Sequence, residues 1–273
     1  FVIAQVFIIG TLLVSKQISY TLNKDLGFKK DAVIYLHTNY NDTVQWHRFV
    51  LIDKLKAISE IAMVSLASDP PSTNSTWTSS FIYKDGKKEL GANVQVKLAD
   101  TNYIKLFQVR LVAGNNLSYS DTAKEFMINE AYARFLGFSN PQMVIGKLIE
   151  WNGKPYPVVG VIADFHQRSL HEPIGPLLFT TGARQWADQM RGINIALQPQ
   201  NIQGTTWKTA ISKTEKAWKE VYPEDDFEYH FLDDTIKQYY TAEQNISKLL
   251  MWSAGLTIFI SCLGLLGLVT YIT

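Results

Sequence analysis

The sequence has very little cysteine and no recognisable nucleotide-binding loop. Its 273 residues include one cysteine, Cys262, which lies in an apolar run near the C-terminal end. With a single cysteine the chain can form no internal disulfide, and the rest of the chain can form no cysteine-based metal site. A glycine-rich phosphate loop with its lysine is also absent from the sequence. We therefore expect no binding or hydrolysis of ATP by this chain.

Charge is absent from both ends of the chain and is balanced in the middle. There are 26 basic and 25 acidic residues, and all of them lie between Lys16 and Lys248. A nucleic-acid-binding protein usually concentrates basic residues on one face, so this balance argues against such a partner. The sequence thus predicts a soluble module flanked by two apolar segments.

The C-terminal run Met251–Thr273 is long enough to cross a membrane. Roughly 20 apolar residues in a helix span a hydrocarbon core of about 30 Å, and the glycines in this run are tolerated in membrane helices. The N-terminal run Phe1–Ser15 is shorter, and no basic residue precedes Lys16, which disfavours a signal peptide. We expect the chain to begin inside one membrane helix and to end inside another, as a piece of a longer protein.

Two strand–helix–strand units are predicted in the module. The first consists of strands Ala32–His37 and Ile61–Ala67 around a helix at about Val44–Ser59, where apolar residues recur at helical spacing. The second repeats this order near the C-terminal end of the module, with the elements Gly192–Leu197, Thr205–Val221 and Phe227–Leu232.

A smaller subdomain is predicted between the two units, because "SDPPSTNSTWTSS" reads as a loop at its border. Its expected elements are strands Phe81–Tyr83 and Ala92–Lys97 with a turn at Asp85–Gly86, a short helix capped by Asp100, and helix Asn129–Leu136 ended by Gly137. Strands Leu148–Trp151, Tyr156–Asp164 and Leu177–Thr180 follow. The last helix is predicted to start at Asp233 and to continue unbroken into the membrane run, since no Gly or Pro intervenes before Gly255.

The stretch "ADFHQRSLHEP" contains the polar residues that most suggest a metal site or an acid–base pair: Asp164, His166, His171 and Glu172. Their spacing matches no metal signature, because two ligands on one helix face stand four residues apart. We interpret them as structural groups of a loop that Pro173 and Pro176 restrain.

Other polar motifs also have simple structural interpretations. Asp233 and Asp234 would cap the last helix, where negative charge meets the positive end of the helix dipole. The sequence matches the glycosylation pattern at Asn41–Thr43, Asn74–Thr76 and Asn116–Ser118, but many loops match it too. We assign no catalytic, cofactor-binding or metal-binding residue and no cofactor.

Several blocks carry a family resemblance. "NKDLGF", "YIKLFQVRLVAGNNLS", "INEAYARFLGF", "IGK", "VVGVIADFHQRSLHEPIGPLLF", "FLDD", "YYTAEQ" and "LTIFISCLGLLGLVTY" occur in this order. The chain resembles the permease subunits of MacB/FtsX-type ABC transporters around their MacB-like periplasmic core domain. The resemblance implies an α+β periplasmic domain with a porter-like pair of β-α-β units, an inserted smaller mixed α/β subdomain and flanking transmembrane helices. The expected segments are a truncated membrane helix (1–16), the first porter half (17–73), the insertion (74–152), the second porter half (153–248) and a second truncated membrane helix (249–273).

The resemblance also implies a function and a location. The chain would be a non-catalytic transmembrane permease subunit that couples cytoplasmic ATP hydrolysis to periplasmic movement. Its expected partners are a separate ATP-binding subunit, a second permease copy or half, the lipid bilayer, and a periplasmic adaptor or cargo protein, with no nucleic acid. It would lie in the bacterial inner membrane with residues 17–248 in the periplasm. The distribution of Lys and Arg does not determine the side of the membrane here, because long loops are translocated largely regardless of their charge.

Two alternatives remain open at this stage. One is a membrane-anchored sensor whose extracytoplasmic domain binds a ligand. The other is a periplasmic enzyme with titratable groups converging around His166 and His171.

Overall fold

The computed structural model describes residues 2–39, 46–73, 77–86, 88–168, 170 and 172–272. The helices are α1 Val2–Asn23, α2 His47–Lys56, α3 Tyr103–Leu106, α4 Glu130–Phe135, α5 Thr206–Val221, α6 Leu232–Gln238 and α7 Thr241–Ile272, with a 3-10 helix at Pro141–Val144. The strands are β1 Val33–His37, β2 Ile61–Ala67, β3 Trp77–Asp85, β4 Lys88–Leu98, β5 Leu111–Gly114, β6 Phe126–Asn129, β7 Leu148–Trp151, β8 Lys154–Ile162, β9 Leu177–Thr180, β10 Gly192–Leu197 and β11 His230–Phe231.

The chain divides into two units, which we call the helical unit and the sheet unit. The helical unit is Phe1–Asp25 with Ile236–Thr273, and the sheet unit is Leu26–Thr235. In the helical unit, α1 and α7 contact each other. Among the described helices, only α7 contains a stretch long and apolar enough to cross a membrane, Asn245–Tyr271, with a mean hydropathy of 2.0. The apolar part of α1, Ile8–Ile18, is shorter.

The sheet unit contains a four-stranded antiparallel sheet in the order β11-β1-β10-β2. Its strands come from β1-α2-β2 and β10-α5-β11, so the two predicted strand–helix–strand units build one sheet. α2 contacts α5, and both helices pack apolar side chains into the hydrophobic core that also contains Ile34, Leu36, Ile193 and Ile195. Burial of this apolar surface stabilises the layer.

The second sheet has seven strands in the order β5-β8-β6-β9-β4-β3-β7. Since β7 also pairs with β8, six of the seven described strands form a closed ring, and β5 lies outside it. Aromatic side chains fill the ring: the centroid of Phe81 lies 5.6 Å from that of Phe126 and 5.5 Å from that of Trp151. Closure of a small sheet with bulky interior side chains produces a packed core rather than a channel.

The structure differs from the sequence-based expectations in several places. β8 and β9 lie beyond the expected border at Asn152 but pair in the seven-stranded sheet, so the change of sheet comes after β9. The strand expected at Phe227–Leu232 is reduced to His230–Phe231. The helix expected around Val44–Ser59 is described over His47–Lys56 and ends earlier than expected, with Ala57 as its C-cap, while 40–45 lie outside the described residues.

The prediction of one unbroken final helix is wrong. α6 ends at Gln238, and α7 begins at Thr241 after a turn. In this turn the backbone N–H groups of Tyr239 and Tyr240 donate to carbonyls three residues earlier, at 3.2 and 3.1 Å. Bonds of this spacing tighten the end of a helix. The turn contains no Gly or Pro. The side chain of Tyr240, in this turn, is buried.

Candidate functional site

The chain crosses between the two sheets at two places in the sheet unit. The first crossing follows β2, and Ser68–Thr73 is its described part; the second crossing is residues 181–191, between β9 and β10. At the first crossing the sheets also touch through their backbones: Ser68 N donates to Leu98 O at 2.8 Å, and Asp100 N donates to Leu66 O at 2.9 Å. We call the two crossings and the side chains that bind them the sheet junction.

A buried lysine holds the first crossing. Lys97, on β4, is only 2% exposed, and its Nζ donates to Pro70 O at 2.8 Å. Burial lowers the pKa of the Lys97 ammonium to about 8, and the negative charge of Asp69 opposes this change. Tyr103, also buried, donates its hydroxyl to Asp69 O at 3.1 Å. The first crossing is therefore fixed by two side chains that approach its carbonyl oxygens.

A buried arginine holds the second crossing in the same way. Arg48, on α2, is 2% exposed. Its Nη1 donates to Met190 O at 3.0 Å and also to Ala187 O. Each crossing thus has a buried cation bound to its backbone carbonyls, one supplied by the seven-stranded sheet and the other by the helix layer of the four-stranded sheet.

The second crossing also contacts the aromatic cluster of the seven-stranded sheet. The ring of Trp186 stacks on Trp151 at 5.3 Å and lies 5.6 Å from Trp77. Gly182 has a φ of +153°, and a Cβ there would come within 2.7 Å of the Trp186 ring. A residue larger than glycine at this position would displace the indole from its place.

Asp100 ties β2 to α3. Its carboxylate accepts from Ser65 Oγ at 2.7 Å, from Leu66 N at 2.9 Å and from Asn102 N at 3.0 Å. Burial raises the pKa of Asp100, and these hydrogen bonds oppose the rise because they stabilise the ionised form. The N-cap residue of α3 is Asn102 rather than the expected Asp100; Asp100 instead binds the backbone just before the helix and links it to β2.

A cavity of about 250 Å³ lies in the four-stranded part of the sheet unit, next to His37. The Nε2 atom of His37 is 3.9 Å from the Asp69 carboxylate. Burial lowers the pKa of His37, while Asp69 opposes this change. His230 and Glu228 also line the cavity. A protonated His37 would therefore face the carboxylate of the first crossing.

The structure separates the polar residues that the sequence places together in "ADFHQRSLHEP". Asp164 accepts from Ala131 N at 2.8 Å and from Asn129 Nδ2 at 3.0 Å, and it pairs with Arg134. Asp164 therefore anchors the start of α4. His166 and Glu172 instead line a groove of about 240 Å³ beside β4, whereas His171 lies outside the described residues.

The other predicted positions are distributed over the chain. Asp233 and Asp234 lie in the first turn of α6. Asn116 Nδ2 donates to Thr101 O at 2.7 Å, while Asn41–Thr43 and Asn74–Thr76 lie outside the described residues. Within the described part of the chain, no group of three His, Cys, Asp or Glu side chains could hold a metal ion.

Sequence reasoning missed both buried cations. For Arg48 a signal existed, because it stands three, four and seven residues before buried Leu51, Ile52 and Leu55, in the apolar stripe of α2. Lys97 gave no such signal, since a lysine near the end of a strand is usually exposed.

Comparison with known proteins gives a family and a fold. The family model of the MacB-like periplasmic core domain matches residues 2–207. The periplasmic region of MacB from Actinobacillus actinomycetemcomitans superposes with a TM-score of 0.51 at 15% identity, covering 80% of this chain and 96% of that chain. No curated protein matches the chain.

Two further solved structures align with lower scores. The extracellular domain of the noncanonic ABC-type transporter YknZ from Gram-positive bacteria gives a TM-score of 0.45 at 10% identity, covering 72% and 97% of the two chains. A domain of a permease protein from Porphyromonas gingivalis gives 0.48 at 17% identity, covering 74% and 90%. Because the family model spans most of the sequence, the chain belongs to the MacB-like periplasmic core domain family of MacB/FtsX-type ABC transporter permeases.

Proposed function

We propose that this chain is the part of an ABC transporter permease that carries movement between the membrane and the periplasm. It is non-catalytic in this proposal, and ATP is hydrolysed by a separate ATP-binding subunit. Cytoplasmic hydrolysis displaces the membrane helices, and the sheet unit converts that displacement into work on a lipoprotein, peptide or drug.

The observation that carries this proposal is the construction of the sheet junction. Both crossings between the sheets are bound by buried cations, Lys97 and Arg48. Displacing either crossing would leave a buried charge or carbonyl without its partner, which is costly in a low-dielectric interior. The two sheets are therefore expected to move as one body rather than to bend at the junction.

Chain connectivity supports the same proposal. The chain enters the sheet unit from the apolar helix α1 and leaves it toward the apolar helix α7. The turn at Tyr239–Tyr240 is closed by backbone hydrogen bonds, so it would transmit force better than an open loop. We propose a bacterial inner-membrane location with residues 17–248 in the periplasm. The proposed partners are an ATP-binding subunit, a second permease copy or half, a periplasmic adaptor or cargo protein, and the bilayer.

An insertion tests the coupling directly. Gly-Gly-Ser-Gly is placed after Ser247, in the first part of α7, within the assembled transporter. Each glycine weakens a helix by about 1 kcal/mol, so displacement should be absorbed at the insert. We expect ATP hydrolysis to continue while transport falls sharply. The same insert after Gly204, in the loop before α5, serves as the matched control, because a Cβ at Gly204 meets no atom within 4 Å.

Transport that stays at the unmodified level with the Ser247 insert would contradict coupling through α7. Equal loss of transport with both inserts would show that the effect is not specific to the helix, and it would contradict the proposal as well.

A further inference from the structure

One edge of β4 is only partly covered. β3 pairs with β4 over Lys88–Val96, but β9, on the other side, pairs only with Gln95–Leu98. Among the described residues, no backbone group pairs with the β9-facing edge of Glu89–Asn93. We call Glu89–Asn93 the open edge.

The register of the hairpin shows which backbone groups the open edge presents. Asp85 and Lys88 close a two-residue turn, and the pair that closes such a turn is hydrogen-bonded. Even-numbered residues of β4 therefore point their N–H and C=O groups at β3, and odd-numbered residues point theirs away. Gln95 agrees with this assignment, because its N–H donates to Pro176 O at 3.3 Å. Glu89, Gly91 and Asn93 thus present three N–H donors and three C=O acceptors with the spacing of a strand.

The sequence explains why β9 does not extend along this edge. Pro176 stands directly before β9 and Pro173 three residues earlier, and proline has no N–H to donate to a neighbouring strand. Gly91 has no positive φ, and a Cβ there would meet no atom within 4 Å. Neither backbone conformation nor packing therefore requires a glycine at position 91. Glycine within a strand often marks a bulge, a tight bend or a place where another backbone approaches closely, and the register of β3 and β4 passes Gly91 without a bulge.

The groove beside the open edge indicates the character of a ligand. It has a volume of about 240 Å³, and Thr78, Asn93 and Gln95 line it with neutral hydrogen-bonding side chains. Among the described residues that line it, Arg168 and Glu172 carry opposite charges and form an ion pair with each other at 3.0 Å. The lining thus has balanced charge, and an uncharged polar segment complements it better than a strongly charged one.

We propose that the open edge binds an extended, uncharged polar segment of a partner protein, which adds to β4 as a further strand. Main-chain hydrogen bonds to Glu89, Gly91 and Asn93 would supply the affinity, and the groove would select side chains, as in other cases of strand addition. A second copy of this chain fits less well. Symmetric pairing about Gly91 would set the turn at Gly86 of that copy opposite Val96, where β9 already lies.

The test uses the full chain in detergent and a labelled neutral peptide, acetyl-Thr-Gln-Thr-Asn-Thr-Gln-amide. Binding is followed by fluorescence polarisation. One arm replaces the peptide with an analogue methylated at alternate backbone nitrogens on its bonding edge. Another uses Gly91→Pro, which removes an edge N–H but none of the bonds to β3, and Gly91→Ala is the matched control that keeps the N–H. Circular dichroism checks that both variants keep the fold.

We expect saturable binding of the neutral peptide, weakened about tenfold by Gly91→Pro and by the methylated analogue, since each removes backbone hydrogen bonds. Gly91→Ala should bind within about twofold of the unmodified chain, because it leaves those backbone bonds in place. Absence of saturable binding would overturn the proposal. Equal binding of the methylated analogue would also overturn it, and this comparison uses only the unmodified chain, so it does not depend on whether a variant folds. Self-association that Gly91→Pro abolishes would overturn it in favour of a second copy.

Discussion

Lys97 allows a sharp prediction, because a fully buried ammonium makes stability depend on pH. Burial lowers the Lys97 pKa from 10.5 to about 8 in the folded chain. The folded state therefore releases this proton at a lower pH than the unfolded state does. Between about pH 8 and 10.5 the unfolded chain binds more protons, so the free energy of unfolding must rise with pH.

The magnitude follows from the same two pKa values. They differ by about 2.5, and each pH unit corresponds to about 1.4 kcal/mol, which gives about 3 kcal/mol over the whole window. Because Lys97 is only 2% exposed, solvent screening reduces this figure little. Burial raises the pKa values of Tyr103 and Tyr132, which lowers stability only above pH 10. The range from pH 8 to 10 is therefore dominated by Lys97.

The perturbation is Lys97→Met, with Lys105→Met as the matched control on an exposed lysine. The segment Leu26–Thr235, which contains its own core, is unfolded with urea at pH 7, 8, 9 and 10. Tryptophan fluorescence follows the transition. Unmodified protein and Lys105→Met should gain about 1.4 kcal/mol per pH unit above pH 8, whereas Lys97→Met should not.

The sign of the difference should also reverse with pH. At pH 7 the methionine variant no longer buries a charge, although Pro70 O loses its donor at a cost of about 1–3 kcal/mol, so it should be at least as stable as the unmodified segment. At pH 10 Lys97 is neutral and still donates, so the variant should be the less stable of the two. Parallel pH profiles for the two proteins would refute the assignment of a buried, titrating Lys97.

Three further outcomes are expected. Arg48→Met should destabilise the segment by about 1–3 kcal/mol, because two carbonyls of the second crossing lose their donor; urea unfolding against Arg110→Met measures this, and no difference would contradict the role of the arginine. Ile202→Cys in a Cys262→Ser background should react with an impermeant maleimide in intact spheroplasts, whereas labelling only after lysis would contradict a periplasmic sheet unit. The purified full chain should contain no stoichiometric zinc by elemental analysis, and one metal per chain that is lost in His166→Ala would contradict the structural interpretation of that histidine.

Local patterns in the sequence determined most of the individual elements. The strand Ile61–Ala67 and the strand Gly192–Leu197 are found at the predicted residues. α4 begins after Asn129, whose side chain accepts from Tyr132 N at 3.0 Å. It ends before Gly137, which adopts a φ of +93°. Strand propensity, capping side chains and glycine stops act within a few residues of each other, so they can be recognised without knowledge of the fold.

Strand pairing was decided only by the tertiary structure. β8 pairs with β5, β6 and β7, and closing the ring on β7 brings β8 and β9 into the seven-stranded sheet, although the expected border of the insertion was at Asn152. The turn between α6 and α7 is a similar case, because neither Gly nor Pro marks it. Local sequence does not specify which of several strands meet, since the choice depends on burial of distant side chains.

The sheet junction shows most clearly that contacts between residues far apart in the sequence cannot be read from local patterns. Lys97 contacts a carbonyl 27 residues away, and Arg48 contacts carbonyls 139 and 142 residues away. The sequence alone established that a charged, folded module lies between two apolar helical segments, because hydropathy is a property of the residues themselves. Only the folded chain shows that these two cations are buried, because burial and its effect on pKa arise from neighbours that folding brings together.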